Sequence, residues 1–343
     1  MSRCVGVLGG GKFGLAVANL LARRVQVRLY VRSSSRFLRE GILQEPGIDQ
    51  AEWSHNISVT SSPEEVASTC SVIFPIVPSY AFREVIRKFS PFLGPSHILI
   101  HGTKGLDIGS EDPSAATPLP KELLRTMSQV IREETSVLRV GCMSGPNLSS
   151  EIASHQPAAT VVASEFDEVI REGKDLLKND RFLVYGAHDL VGTELCGALK
   201  NIVAIGTGIL EGLSLGYNAK ALLISRSLVD LISIGRLLGA YTRVFVGLAG
   251  IGDMIATSFS PNSRNFSVGK SLARGEKLKN IIASMKEVAE GVRTTELVVR
   301  LAKYYNIRCV IPEFLYRIFK GTLSVEEAST LLMKMPFQYE EDV

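Results

Sequence analysis

The stretch Val5-Gly-Val-Leu-Gly9-Gly10-Gly11-Lys12-Phe13-Gly14 decides the fold of this chain. A short apolar run leads into Gly9-x-Gly11-x-x-Gly14, and a helical pattern follows over residues 15–24. In such a turn the first glycine allows a tight strand-to-helix reversal, the second lets the backbone approach a pyrophosphate, and the third lets the helix pack on the strand. The N–H groups at the helix N-terminus complement that pyrophosphate. We predict a dinucleotide-binding turn, the alternative being a tight turn that binds no ligand.

Composition indicates a packed globular protein of two domains. The chain has 343 residues, of which 45% are hydrophobic and 21% charged, and this length suits two domains. The formal net charge of +3 is too small to indicate binding to nucleic acid or to a membrane surface. Charged residues and glycines interrupt the most apolar stretch, residues 195–215, so no membrane insertion is expected. No signal-peptide pattern follows Met1, which favours a cytoplasmic location.

The cysteines and histidines predict neither a metal site nor a disulfide framework. The cysteines are far apart and odd in number, most lie in apolar patterns, and the histidines show no ligand spacing with them. We therefore expect buried thiols in a reducing compartment and no metal. The cysteines are Cys4, Cys70, Cys142, Cys196 and Cys309.

Two kinds of pattern divide the chain. Short β-rich runs alternate with helical stretches in the first half, which predicts a parallel sheet covered on both faces. Only helical periods follow residue 188. The fold class is therefore α/β, with a Rossmann-type doubly wound sheet over residues 1–188 and an all-helical domain over residues 189–343. Substrate is expected in the crevice between them.

The predicted elements are as follows. Strands are expected over residues 4–8, 25–31, 72–77, 97–101, 138–143, 160–163 and 182–185. Helices of the second half are expected over residues 190–213, 219–238, 263–274, 278–305, 312–320 and 324–335. The last begins with a capping box, Ser324-x-x-Glu327. Residues 107–120, rich in Ser, Pro and Asp, are expected to form an exposed loop inserted into the sheet domain.

The end of the second strand indicates which dinucleotide binds. An NAD site usually carries an acidic residue there to hold the ribose 2′-OH. This strand instead ends Leu29-Tyr-Val-Arg32-Ser-Ser-Ser-Arg36, without a carboxylate. The planar guanidinium of Arg32 suits a phosphate. We therefore predict NADP(H) as the preferred cofactor and NAD(H) as the secondary one, the alternative being that Arg32 is a solvated charge.

Lys200 lies in a helical segment, residues 195–209, that is apolar on all sides. No carboxylate occupies its neighbouring helical positions. Because an unpaired buried ammonium is strongly unfavourable, such a lysine needs a distant partner or a lowered pKa. A functional lysine is expected, the alternative being a side chain that extends to the surface.

Four polar clusters accompany this lysine. Two of them, Thr103-Lys104-Gly105 and Ser144-Gly145-Pro146-Asn147, follow predicted strands, where ligands bind to parallel sheets. The cluster Gly250-Ile-Gly252-Asp253 provides a carboxylate to pair with the buried lysine, and Ser263-Arg264-Asn265 opens a helix as an anion site. Each cluster alone is more typical of a turn or a cap. Together they suit hydride transfer to a small phosphorylated substrate.

With these motifs the chain resembles the bacterial-type NAD(P)-dependent glycerol-3-phosphate dehydrogenases. The Leu199-Lys200-Asn201 helix and the Ser263-Arg264-Asn265 segment carry the resemblance more specifically than the glycine turn does. The remaining matches, in the family's order, are Val77-Pro-Ser79, Thr103-Lys-Gly-Leu106, Ser144-Gly-Pro146, Gly216-Tyr-Asn-Ala219, Gly250-Ile-Gly-Asp253 and Val288-Ala-Glu-Gly291. The resemblance implies reversible reduction of dihydroxyacetone phosphate to sn-glycerol 3-phosphate, which supplies glycerophospholipid synthesis.

The resemblance also implies roles for individual residues. Lys200 matches the proton donor and acceptor, and Lys104 and Asp253 match supporting catalytic charges. The implied substrate-binding residues are Lys104, Gly145, Asn147, Lys200, Asp253, Ser263, Arg264 and Asn265. The implied cofactor-binding residues are Gly9, Gly11, Lys12, Phe13, Gly14, Arg32, Lys104, Ser149, Arg264, Val288 and Glu290. Asn147 departs from the threonine common in the family, and Lys12 departs from its usual small residue.

Two other functions are compatible with parts of this sequence. A 3-hydroxyacid or ketone dehydrogenase of the same two-domain architecture also uses a helix lysine and an asparagine, but the phosphate site at Ser263-Arg264-Asn265 argues against it. A nucleotide-sensing protein without turnover leaves the buried Lys200 unexplained. A homodimer through the helical domain is the expected assembly, with the small-molecule substrate as the only other partner.

Overall fold

The structure, a computed structural model, describes residues 3–32, 55–109, 117–285 and 289–334. The chain divides into two compact units. One, the sheet unit, comprises Met1–Asp107 and Arg125–Glu194; the other, the helical unit, comprises Ile108–Leu124 and Leu195–Val343. The predicted boundary at residue 188 lies shortly before the change of unit at Glu194.

The segment Ile108–Leu124 corrects one expectation, because it belongs to the helical unit and not to the sheet domain. Its described part is held by the helix Glu290–Tyr305: Arg300 Nε donates to the Thr117 carbonyl at 2.8 Å, and Leu119 N donates to the Arg300 carbonyl at 3.2 Å. The Leu119 side chain is fully buried. The polar composition predicted an exposed loop of the sheet domain. The buried Leu119 and these hydrogen bonds instead attach the segment to the helical unit.

The sheet unit contains an eight-stranded sheet in the order β3-β2-β1-β4-β5-β6-β7-β8. Neighbouring strands are parallel except β6 and β7, which are antiparallel, so the predicted fully parallel sheet is wrong at that one junction. The edge strand β3 was not predicted, because it carries only two apolar residues. The strands are β1 (Cys4–Leu8), β2 (Gln26–Tyr30), β3 (Ile57–Thr60), β4 (Val72–Pro75), β5 (Ile98–His101), β6 (Arg139–Ser144), β7 (Ala158–Ser164) and β8 (Phe182–Ala187).

Helices cover both faces of this sheet, as predicted. Side chains alternate along β1, so that Val5 and Val7 enter one hydrophobic core and Leu8 enters the other. The first core contains the helices Lys12–Ala22 and Asp167–Leu177. The second contains the helices Pro63–Thr69, Ser79–Phe89 and Met127–Glu134. The shorter helices of this unit are Ser90–Phe92 (3₁₀) and Ser149–Ala153.

The helical unit confirms most of the predicted helices, including the last one with its capping box at Ser324 and Glu327. The predicted helix over residues 278–305 is wrong as a single element: one helix ends at Ser284, and another starts at Glu290. The helices of this part of the chain are Lys121–Leu123 (3₁₀), Leu190–Gly212, Tyr217–Leu237, Thr242–Phe245, Leu248–Gly252 (π), Asp253–Phe259, Arg264–Ala273, Leu278–Ser284, Glu290–Tyr305, Val310–Phe319 and Val325–Met333.

One long apolar helix, Leu190–Gly212, satisfies the length and composition of a membrane span among the described residues. Its most apolar window is 89% buried inside the protein, as expected for a core helix. Glu194, near its start, is the last residue of the sheet unit, and the rest of the helix belongs to the helical unit.

Candidate active site

The glycine turn after β1 has the predicted strand–turn–helix geometry. Gly9 adopts φ +124°, and a Cβ added there would lie 2.1 Å from the Ile76 carbonyl oxygen. A Cβ on Gly14 would lie 2.1 Å from the Gly9 carbonyl oxygen. Both positions therefore require glycine because of the fold itself, whether or not a ligand binds.

Gly11 differs from these two glycines. Its φ of −77° suits any residue, and no described atom lies within 4 Å of an added Cβ. Gly11 is the N-cap of the helix Lys12–Ala22, and no side chain caps the first N–H groups. Open space beside uncapped N–H donors is what a pyrophosphate group needs. The turn thus fits a dinucleotide, and the packing of the described residues does not require glycine at position 11.

Lys12 and Phe13 begin the helix after this turn, whereas Arg32 and Ser149 follow other strands of the sheet. The Phe13 ring packs 3.1 Å from the position of a Cβ on Gly102, which directly follows β5. Lys12 and Arg32 are exposed, and Arg32 follows the end of β2. Ser149 begins the short helix Ser149–Ala153 and is half-buried.

Lys104 and Gly145, which follow the neighbouring strands β5 and β6, are brought into contact. Lys104 Nζ donates a hydrogen bond to the Gly145 carbonyl at 3.0 Å, joining the loops that follow β5 and β6. Gly145 has φ +145°, and a Cβ there would lie 3.1 Å from the Ala159 carbonyl oxygen. The turn that positions Lys104 therefore depends on this glycine.

Asn147 is buried with only part of its amide satisfied. Its Nδ2 donates to Thr160 Oγ1 at 2.8 Å, and that hydroxyl donates to the Ser144 carbonyl at 3.1 Å. Asn147 Oδ1 is buried without a hydrogen-bond partner among the described residues. A buried polar atom without a partner needs an explanation, and a bound hydroxyl or ammonium donor would supply one.

Sequence reasoning missed a buried polar cluster formed by His101, Ser128 and Glu194. Glu194 Oε1 lies 2.9 Å from His101 Nε2 and accepts from Ser128 N at 2.8 Å, while Oε2 accepts from the Ser128 hydroxyl at 2.5 Å. Glu194 lies on the same helix as Lys200. The available signal was the one that revealed Lys200, namely a polar residue inside an apolar pattern.

Lys200 lies inside the helical unit, where a carboxylate and a hydroxyl accept hydrogen bonds from its ammonium. It is 6% exposed, and its Nζ donates to Asp253 Oδ1 and to Thr257 Oγ1, both at 2.5 Å. Asp253 is 1% exposed. The π turn Leu248–Gly252 directly precedes the helix Asp253–Phe259 and places Asp253 in its first turn. The carboxylate compensates the buried ammonium, as predicted, whereas the contribution of Thr257 was not predicted.

Asn201, next to Lys200, begins a chain of buried amide hydrogen bonds. Asn265 Nδ2 donates to Asn201 Oδ1 at 2.9 Å, and Asn265 Oδ1 accepts from Gly291 N at 2.9 Å. Both Asn265 and Gly291 lie in first turns, of the helices Arg264–Ala273 and Glu290–Tyr305. The predicted substrate residue Asn265 therefore also fixes two helix N-termini near the lysine helix.

The helices Leu190–Gly212 and Arg264–Ala273 pack with their backbones in close contact. A Cβ on Gly208 would lie 2.1 Å from the Phe266 carbonyl oxygen, and one on Gly269 would lie 2.0 Å from the Ile205 carbonyl oxygen. Ser263 caps its helix by accepting from Phe266 N at 3.3 Å. Arg264 is exposed and Glu290 half-buried. An exposed guanidinium beside a helix N-terminus has the chemistry to bind an anion, and a site there stays a prediction.

The predicted site residues thus form two groups. The sheet unit holds the glycine turn, Lys12, Phe13, Arg32, Lys104, Gly145, Asn147 and Ser149, whereas the helical unit holds Lys200, Asp253, Ser263, Arg264, Asn265 and Glu290. Val288 lies outside the described residues. The approach of Lys104 to Lys200, and a shared site for both groups, stay predictions.

Comparison with known proteins identifies the family. The N-terminal domain description of NAD-dependent glycerol-3-phosphate dehydrogenase matches residues 4–170, and its C-terminal description matches residues 189–330. A glycerol-3-phosphate dehydrogenase [NAD(P)+] from Syntrophotalea carbinolica is 33% identical over 98% of this chain and 99% of its own length. The corresponding protein from Saccharophagus degradans is 36% identical over 96% of this chain and 89% of its length.

A solved structure agrees with these matches. The crystal structure of glycerol-3-phosphate dehydrogenase from Coxiella burnetii superposes with a TM-score of 0.86 and 30% identity, covering 97% of this chain and 99% of that one. The chain belongs to the NAD-dependent glycerol-3-phosphate dehydrogenase family.

Proposed function

We propose that this chain catalyses the reversible NAD(P)H-dependent reduction of dihydroxyacetone phosphate to sn-glycerol 3-phosphate. It is an oxidoreductase acting on a CH–OH group, as its relatives are named. The observation that carries the proposal is the buried Lys200 ammonium, held by Asp253 and Thr257. Full-length similarity to enzymes of this name favours this activity over a 3-hydroxyacid dehydrogenase or a nucleotide sensor.

Lys200 is proposed as the proton donor and acceptor. When bound, the reduced nicotinamide supplies the hydride that reduces the ketone carbon. The Lys200 ammonium donates a hydrogen bond to the carbonyl oxygen, where negative charge develops, and then gives it a proton. Asp253 and Thr257 accept hydrogen bonds from this ammonium, and we propose that they orient it toward the substrate. In the reverse direction the Lys200 amine accepts the proton.

The phosphate of the substrate is proposed to bind at the start of the helix Arg264–Ala273. This ten-residue helix carries no acidic residue in its first turn, and Arg264 adds a guanidinium with a geometry suited to phosphate. Asn265, fixed by its hydrogen bonds to Asn201 and Gly291, presents its remaining amide N–H from a rigid position. Binding energy at the phosphate then orients the ketone toward Lys200. Lys104, Gly145 and Asn147 complete the proposed substrate contacts.

The dinucleotide is proposed to lie on the glycine turn, with its pyrophosphate at Gly11. Arg32 would hold the 2′-phosphate of NADP(H). Arg32 also acts on Glu84 in the helix Ser79–Phe89. The pKa of Glu84 is lowered chiefly by its hydrogen bond to Lys88, and the positive charge of Arg32 adds to this shift. Lys12, Phe13, Ser149, Arg264, Val288 and Glu290 are the remaining proposed cofactor contacts.

Replacement of Lys200 tests the catalytic proposal. We expect Lys200→Ala to lower kcat for dihydroxyacetone phosphate by at least about 100-fold, the usual contribution of a proton-transfer group. The matched control is Lys220→Ala, because Lys220 is also a buried lysine of the helical unit and is paired with Glu211. Initial rates of NADPH oxidation measure both variants. Normal turnover by Lys200→Ala, or an equal loss in Lys220→Ala, contradicts the assignment.

Replacement of Arg32 tests the cofactor preference. Arg32→Asp should raise the KM for NADPH far more than the KM for NADH, because only NADPH carries the 2′-phosphate. Arg32→Lys keeps the charge but loses the bidentate geometry, so an intermediate KM for NADPH is expected. Initial rates with the two cofactors side by side provide the measurement. Equal losses for both cofactors would show that Arg32 has only a structural role.

We further propose a cytoplasmic enzyme that supplies the glycerol backbone of phospholipids and that assembles as a homodimer through its helical unit. The reaction product is the phosphorylated glycerol that such lipids contain. Light scattering of the purified protein tests the dimer, since a monomer at micromolar concentration would contradict it.

A further inference from the structure

The structure brings together two cysteines that lie far apart in the sequence. Cys4 is the first residue of β1, and Cys70 follows the helix Pro63–Thr69, shortly before β4. Since Val5 pairs with Val72 in the parallel ladder, both thiols lie at the amino ends of adjacent strands. The glycine turn follows the opposite end of β1. The Cys4–Cys70 thiol pair is therefore remote from the strand ends that carry the proposed cofactor residues.

The two sulfur atoms are close enough to react with each other. Cys70 Sγ donates a hydrogen bond to Cys4 Sγ at 3.2 Å. A disulfide bond is about 2.0 Å long, so a relative movement of about one ångström joins the two atoms. Cys4 is half-buried and Cys70 is buried, so the two thiols differ in their access to a reagent in solution.

The hydrogen bond between the two thiols and their burial give them different roles. The hydrogen bond from Cys70 lowers the pKa of the Cys4 thiol to about 7; burial opposes this shift, and the charge of Arg28 assists it. The same hydrogen bond, together with burial, raises the pKa of Cys70. By contrast, burial raises the pKa of the Cys309 thiol to about 12. Because a thiolate is the attacking species in disulfide exchange, Cys4 is the nucleophile of the pair.

We propose that Cys4 and Cys70 form a redox-modification site, oxidised reversibly to an intramolecular disulfide by small-molecule disulfides such as glutathione disulfide. The Cys4 thiolate attacks one sulfur of the reagent, forming a mixed disulfide and releasing one glutathione thiolate. Cys70 then loses its proton and attacks Cys4 Sγ, which forms the Cys4–Cys70 bond and releases a second glutathione. The two protein thiols are oxidised, and the reagent is reduced to two thiols.

The second step becomes easier once the first has occurred. The hydrogen bond to the Cys4 thiolate is the largest cause that raises the pKa of Cys70. In the mixed disulfide Cys4 carries no negative charge, so this effect is lost and Cys70 is deprotonated more readily. The new bond joins positions 66 residues apart, which restricts the unfolded chain and stabilises the folded one.

Oxidation of the full-length chain tests the proposal. The reduced protein is incubated with glutathione disulfide, alkylated in denaturant, and analysed by intact mass and peptide mapping. We expect one Cys4–Cys70 disulfide, so that the oxidised protein takes up three alkyl groups where the reduced protein, with its five cysteines, takes up five. We also expect a higher unfolding temperature that returns to its initial value after reduction. NADPH binding should be retained, because the pair lies at the opposite ends of the strands. This test does not depend on the proposed catalytic residues.

Single substitutions separate the roles of the two thiols. Cys70→Ser should accumulate a glutathione adduct on Cys4, because the second thiol is absent, whereas Cys4→Ser should yield neither adduct nor disulfide. Cys309→Ala is the control and should form the disulfide normally. The adduct in Cys70→Ser should form faster as the pH rises through the Cys4 pKa. The proposal is overturned if the wild type forms no Cys4–Cys70 bond, if other cysteines pair instead, or if Cys70→Ser leaves Cys4 unmodified.

Discussion

The hydroxyl of Thr257 gives the sharpest test of how the protein holds Lys200. Thr257→Val retains the shape of the side chain but removes the acceptor that lies 2.5 Å from Lys200 Nζ. The ammonium then loses this acceptor and keeps its hydrogen bond to Asp253. Both Lys200 and Thr257 are buried, so water does not readily replace the lost partner.

The expected magnitude follows from this geometry. A hydrogen bond to a charged group contributes about 1.5–3 kcal/mol, which corresponds to about 10- to 150-fold in a rate constant if all of it orients the proton donor. We therefore expect kcat for dihydroxyacetone phosphate to fall within that range. The KM for the substrate should change little, because Thr257 is not among the proposed phosphate contacts.

The assay is the initial rate of NADPH oxidation for wild type, Thr257→Val and Thr257→Ser. The serine variant keeps the hydroxyl and should retain most of the activity. A valine variant within about twofold of wild type would refute the orienting role, since twofold corresponds to only about 0.4 kcal/mol. Equal impairment of the serine variant would attribute the effect to the methyl group and not to the hydroxyl.

Two further predictions concern the glycine turn and the stability of the helical unit. Gly11→Ala should fold like wild type but bind NADPH more weakly. Gly9→Ala should instead lower the unfolding temperature, because Gly9 has φ +124° and a carbonyl oxygen occupies the space that its Cβ would need. Thermal unfolding and NADPH titration distinguish the two variants, and equal behaviour would contradict the assigned roles. Burial raises the pKa of Asp230 to about 7, against the hydrogen bond from Ile311 N. Because the folded protein then holds a proton that the unfolded chain loses near pH 4, this contribution to stability is full at acidic pH and is lost as the pH rises through about 7. Asp230→Asn should therefore flatten the decrease of the unfolding temperature between about pH 4 and pH 7, and an unchanged pH profile would contradict the buried-acid interpretation.

Much of the fold was predictable because its strands are short, continuous and apolar. Parallel strands buried on both faces are nearly continuous runs of apolar residues, and the glycine spacing indicates where the first strand ends. The edge strand β3 and the antiparallel pairing of β6 with β7 were not predictable in this way. A half-exposed strand has a weak apolar pattern, and strand direction depends on the path of the chain between strands.

The division of residues 278–305 into two helices has a similar cause. Helical periodicity continues across the break, so the sequence alone favours one long helix. The second helix instead begins where Gly291 N–H donates to Asn265 Oδ1. A Cβ on Gly291 would lie 2.6 Å from the Asn201 carbonyl oxygen. Contacts with distant segments thus hold the N-terminus of the second helix, and helical periodicity does not report such contacts.

The sequence by itself predicted a buried, functional Lys200 and a glycine turn suited to a pyrophosphate, and it showed which family the chain resembles. These predictions depend on local composition and spacing, which can be read from the sequence without any tertiary contact. Only the tertiary structure decided that Thr257 joins Asp253 at Lys200, that Glu194 binds His101 and Ser128, and that Cys4 lies against Cys70. Such partners are separated by many residues along the chain, and a sequence pattern carries no information on which distant side chains folding brings within hydrogen-bond distance.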